Sequence, residues 1–304
     1  MTDKKDDTWN WDRIVPILSF PATRVTLALL ALSATSITLS SLLSLTLSQP
    51  AKTSWLYPIM LVPIFHLVYH GYVRIAEGRH ALELSWSGAV AELGRGMLVG
   101  AAFLVVVVGL VAAVGFYRVV SINPWSTLMP SLATAIMPGY TEEVIFRGVL
   151  LRIIEESLGT WIALLISSAL FGLVHVGNPG ATIFSTVAIF LEGGVLLGAA
   201  YIFTRKLWMA IGIHSAWNFT LAGIFGVNVS GLSTSGLLES RLSGPGLIAG
   251  GNFGLEASIF SVAIGLAIGA VFLAAAQRRG HFVKPFWDNV KSLSHSKLHK
   301  VLRR

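Results

Sequence analysis

The chain has 304 residues, 54% of them hydrophobic and only 12% charged, with a formal net charge of +7. Its mean hydropathy of +0.72 belongs to a protein built for lipid rather than to a soluble domain. There is no cysteine, which excludes disulfides and thiolate chemistry.

The start, MTDKKDDTWNWDR, is polar and mixed in charge. The apolar run after it is long and lacks a small-residue cleavage site, so it reads as a permanent first span rather than a cleaved signal. A span needs roughly 20 apolar residues to cross about 30 Å of hydrocarbon. On that measure the chain is an all-α, polytopic membrane helix bundle of about eight transmembrane helices. They are expected at residues 25–47, 55–75, 97–117, 128–154, 160–175, 182–203, 207–225 and 255–275. A polar stretch with Glu77, Arg79, His80, Glu83, Glu92 and Arg95 separates the second from the third. The seventh and eighth are separated by a Gly- and Ser-rich loop without apolar periodicity. Three regions follow: an N-terminal segment 1–24, a transmembrane domain 25–276 with its core at 128–226, and a basic tail 277–304.

Loop charges orient the bundle. With the N-terminus cytoplasmic, the inner loops carry Arg74, Arg79, Arg95, Arg152, Arg205 and Lys206, and the tail adds eight Lys or Arg. The outer loops carry Lys52, Arg118 and Arg241. Positive residues favour the cytoplasmic face, so both termini are expected in the cytoplasm; the membrane is expected to be a bacterial or archaeal cell membrane. The tail is expected to meet anionic lipid, and no nucleic acid is expected as a partner. This orientation places His175 toward the outer half of the membrane.

Ionisable groups inside apolar helices are costly and are functional candidates by default. Three clusters stand out. In Glu142-Glu143-Val144-Ile145-Phe146-Arg147, Glu143 and Arg147 are four apart and suited to an ion pair. Glu142 points about 100° away, open to proton transfer, unless both glutamates only hold helices together or mark a helix end. Pro138 and Gly139 just before them mark a start or kink of the helix. In Phe171-Gly172-Leu173-Val174-His175, the histidine stands near a helix end. It can activate water, bind a metal, or cap the helix. In His214-Ser215-Ala216-Trp217-Asn218, the imidazole and amide share a face. They can donate to a developing oxyanion, ligate a metal, or bond helices together. Taken together, the acids, a base and the donors meet the needs of peptide hydrolysis. Glu192, beside Gly193 and Gly194, has a core or cavity-lining role as its equal alternative.

Residues 137–218 resemble the CAAX prenyl protease 2 and bacteriocin-processing family of intramembrane endopeptidases. The two-glutamate, three-residue, arginine pattern lies at Glu142 to Arg147. The phenylalanine and histidine pattern lies at Phe171 and His175, and the histidine and asparagine pattern at His214 and Asn218. The resemblance implies that Glu142 and His175 activate the attacking water. It further implies that His214 and Asn218 stabilise the oxyanion and that Glu143 and Arg147 support the site. The implied substrate is a membrane protein or peptide, with a lipid-modified one included. Cofactors reduce to none or a divalent metal such as zinc, held by Glu142, His175, His214 and Asn218 if present. The chain lacks the His-Glu-x-x-His arrangement of soluble zinc proteases, so the metal-free mechanism is preferred. The alternative is a non-catalytic scaffold or bacteriocin-immunity protein of the same fold. A transporter is disfavoured, because no matched pair of interrupted spans is present.

Overall fold

The computed structural model describes residues 19–46 and 50–288. Residues 1–18 of the expected N-terminal segment and residues 289–304 of the basic tail lie outside the described residues.

The described residues form a bundle of membrane-length helices. Helix α1 spans Pro21–Thr46, α2 spans Pro50–Ala76 and α3 spans Ala89–Ala113. Helix α4, Leu128–Glu143, passes into a π-helical segment, Val144–Leu151, and then into α5, Arg152–Val174. Helix α6, Ile183–Ile189, continues through a second π segment, Phe190–Leu196, into α7, Leu197–Thr204. Helix α8, Trp208–Asn218, ends in a third, Phe219–Ile224. A short α9, Gly246–Ala249, precedes α10, Ile259–Arg278. Among the described residues six helices are long and apolar enough to cross a membrane.

The count departs from eight for two physical reasons. The expected fourth and fifth spans join into one helical stretch, Trp125–Gly177. That stretch breaks at Gly159, whose φ of 77° and ψ of 167° are not helical. A side chain there would collide with the backbone of residues 283–285, which dock on the break. Thr160 N–H donates to the Val283 carbonyl at 3.1 Å, and Val283 N–H to Thr160 Oγ1 at 2.8 Å. The first residues of the basic tail are thus packed on the bundle. The second reason is α8 with its π extension, which is shorter than the other spans.

Other boundaries also shift. Helix α1 starts at Pro21, and α3 starts at Ala89 and stops at Ala113. Tyr117 belongs instead to a strand, β1, Tyr117–Ile122. It pairs antiparallel with β2, Leu238–Leu242, inside the region expected as plain loop. Among the described residues this small sheet is the exception to the all-α expectation. The last helix begins at Ile259, capped by the Ser258 side chain, and Leu255–Ala257 forms a separate 3-10 turn. Pro138 lies inside α4 without ending it. Helix α6 starts on a capping box, with Thr182 and Ser185 each bonding the other's backbone N–H.

The two ends of the bundle differ. At one end the polar stretch after α2 meets the starts of α5 and α8. Glu77 binds Arg152 at 2.7 Å and Arg24 at 3.1 Å, Arg79 binds Glu83 at 2.9 Å, and Arg205 binds Glu155 at 2.5 Å. Burial works against the charge on Glu77, but the Arg152 hydrogen bond and the neighbouring guanidiniums hold its carboxyl at about 2. At the other end sit the two-stranded sheet and the loop between α8 and β2. Between the ends lie three apolar clusters, centred on Phe65 and Leu151, on Leu104 and Ile213, and on Phe146 and Phe171.

Candidate active site

The three motifs come together where α4 packs on α8 and the end of α5 approaches them. Gly139 permits the closest approach: a Cβ at this position would overlap the main chain and hydroxyl of Ser215, one residue after His214. The glutamate pair is thereby pressed against α8.

Glu143 and Arg147 are fully buried. Arg147 Nη1 donates to Glu143 Oε1 at 2.8 Å, while Nη2 donates to the carbonyls of Gly193 at 2.7 Å and Gly194 at 3.0 Å. Its guanidinium lies over the Phe171 ring, 4.6 Å from the centroid. One arginine therefore joins α4, the π segment after α6, and α5. The same Glu143 oxygen meets His214 Nδ1 at 2.9 Å. As a carboxylate it only accepts, so Nδ1 carries the proton and Nε2 is the ring's other face. That Nε2 lies 4.0 Å from Glu142 Oε2, which has no hydrogen-bond partner among the described residues.

His175 closes α5. Its Nδ1 donates to the Phe171 carbonyl at 2.7 Å, an arrangement that requires the proton on Nδ1 and leaves Nε2 open. The ring also packs on Phe171, with centroids 5.0 Å apart. It therefore caps a helix end, as one sequence alternative held, and still presents a free nitrogen. Glu142, His175, His214 and Asn218 line one cavity of about 150 Å³. Thr134 and Pro138 of α4 border it, and the loop with Val229, Ser230 and Leu232 completes its wall.

Glu192 is fully buried and is not part of this cavity lining. The residue missed in the sequence is Glu256. It is buried in the turn before α10, and its Oε1 accepts from Trp217 Nε1 at 2.9 Å. A lone acid in an apolar, glycine-flanked stretch was the available signal.

Residues 123–220 match a family model, described as type II CAAX prenyl endopeptidase Rce1-like. The match covers about a third of the chain and contains all three motifs. No curated protein and no solved structure matches the chain.

Among the described residues no group of three His, Asp or Glu side chains is arranged to hold an ion. Catalytic zinc takes three protein ligands and leaves one position open. Glu142, His175, His214 and Asn218 share a cavity but do not form such a cage.

Proposed function

We propose that the chain is an intramembrane endopeptidase of the glutamate and histidine type. The observation that carries this reading is the shared cavity of Glu142, His175, His214 and Asn218. Glu142, with a free carboxylate oxygen, takes a proton from water, and His175 Nε2 orients that water. The hydroxide attacks the scissile carbonyl. Its oxygen becomes an oxyanion that accepts from Asn218 Nδ2 and His214 Nε2. In that role the His214 ring carries both protons, with Glu143 as its counter-charge. Collapse of the intermediate expels the amine, which takes back the proton from Glu142. Glu143 and Arg147 hold His214 in place and do not touch the substrate.

The match to a prenyl endopeptidase family supports a lipid-modified substrate. A second cavity adds to that support. It measures about 1030 Å³, is almost wholly apolar, and lies between α2, α3, α4 and α8. It backs onto the face of α8 that carries Ser215 and Phe219. We also infer eight crossings, with the break at Gly159 separating two of them and α8 forming a short one. Both termini then face the cytoplasm, and the tail meets anionic lipid.

The test is cleavage by purified protein in detergent. The probe is a quenched-fluorescence peptide ending in a prenylated Cys-aliphatic-aliphatic-X sequence, with its unmodified counterpart as control. Cleavage is expected with and without exhaustive chelation, and Glu142→Gln is expected to remove it while the protein stays folded. Turnover by the Glu142→Gln protein would sink the reading. Activity lost on chelation and restored only by one equivalent of zinc would replace the metal-free mechanism.

A further inference from the structure

Glu256 has a role that the peptidase chemistry does not use. Among the described residues the hydrogen-bond partners of its carboxylate are all donors. Trp217 Nε1–H donates to Oε1 at 2.9 Å. Ser230 gives Oε2 both its backbone N–H and, at 3.1 Å, its hydroxyl. Ser230 has φ 48°, the left-handed region that residues with a Cβ rarely enter. Something must hold it there. The Asn178 side chain donates to the Ser230 carbonyl at 2.9 Å, and Gly231 N–H donates to the Phe253 carbonyl at 2.7 Å. The turn so fixed is a wall of the catalytic cavity. Trp217 precedes Asn218 on α8, and Asn178 follows His175 by three residues. Glu256 and His175 also border a common void of about 10 Å³, together with His214 and Ser230.

We propose that Glu256 is a positioning residue of this site, a latch that fixes the Ser230 turn as the cavity wall and registers it against the helix bearing His214 and Asn218. The inference rests on the peptidase reading for its effect on turnover, but not for the latch itself. A carboxylate is required because all the partners donate. Glutamine has one acceptor oxygen, so its amide NH₂ must face either Trp217 or Ser230, donor against donor. Removing the indole donor should relieve that conflict, since phenylalanine keeps an aromatic ring against Phe103.

The experiment compares Glu256→Gln, Trp217→Phe and the double variant in detergent. Hydrogen exchange over residues 228–232 is read without substrate, and kcat and KM are read with the prenylated peptide. Glu256→Gln is expected to speed exchange and lower kcat, each by roughly tenfold, the scale of one lost buried hydrogen bond to a charged group. The double variant should return both to within about twofold of Trp217→Phe alone, on the same reasoning. Unchanged exchange in Glu256→Gln would overturn the latch. So would a double variant no better than Glu256→Gln. Faster exchange with unchanged kcat would overturn the positioning role. If the unmodified protein cuts no peptide, the peptidase reading falls, while faster exchange in Glu256→Gln and its recovery would still support the latch.

Discussion

Arg147→Met tests what holds the site together. The guanidinium is fully buried and supplies one hydrogen bond to Glu143 and two to the Gly193 and Gly194 carbonyls. Methionine fills much of the same space but donates nothing. Breaking a buried ion pair by removing one partner costs about 3–5 kcal/mol, because the other charge is left without compensation. His214 still donates to Glu143, which places the expected loss near the lower end, about 3 kcal/mol. At about 2–4 °C per kcal/mol for a chain of this size, the melting temperature should fall by about 6–12 °C. Glu143→Gln alone should cost a similar amount, since it strands the arginine. The double variant removes both charges, so its loss should fall short of the summed single losses by at least about 1 kcal/mol. Scanning fluorimetry of the detergent-purified proteins gives all four values. Additive losses, or an Arg147→Met protein melting within about 2 °C of the parent, would refute the claim that this pair joins the three motif helices.

Three other outcomes are expected. Asn218→Ala should lower kcat by about 10²–10³ with little change in KM, as for a lost oxyanion donor; single-turnover rates that match the parent would remove Asn218 from the mechanism. Gly139→Ala should force α4 away from Ser215, costing about 1–3 kcal/mol, and a protein of unchanged melting temperature would disprove the tight crossing. The third concerns acid. The folded Glu77 carboxyl sits at about 2, below the ordinary 4.5, so its contribution is complete above pH 4.5 and fades as pH falls through 2. The shift corresponds to about 3 kcal/mol, and Glu77→Gln should flatten this part of the acid-unfolding curve. An identical acid profile in the variant would argue against the charge cluster as a clamp.

Much of the candidate site is legible in the sequence, because a charge in an apolar helix needs a reason. Glu143 and Arg147 fell on one face by spacing alone, and they do meet. The apolar runs likewise pointed to the six long apolar helices, though not to their number or bounds. What stayed hidden depended on partners far along the chain. Strand β1 follows α3 so closely that hydropathy ran the two together, and its partner β2 lies beyond three of the motif-bearing elements. Glu256 belongs to none of the sequence motifs, since Trp217 and Ser230 reach it only through the fold. Pro138 suggested a kink, but the helix passes through it, and the close contact belongs to the neighbouring Gly139. The helix break lies at Gly159, where residues 283–285 dock too closely for a side chain.

The three π segments bear on how this chain could tolerate changes in length. A π turn holds a residue more than an α turn, and such turns gather at functional sites. Here one follows Glu143, one contains Glu192 and Gly193, and one follows Asn218. Deleting one residue within such a turn can restore a regular α-helix while leaving the flanking turns in phase. The bundle would keep its helices and its outline. Its losses would be local: the Arg147 reach to Glu143, the carbonyls that receive it, or the seat of Asn218. Single-residue deletions at these three places should therefore separate assembly from chemistry more cleanly than deletions elsewhere in the same helices, where every later side chain would turn by about 100°.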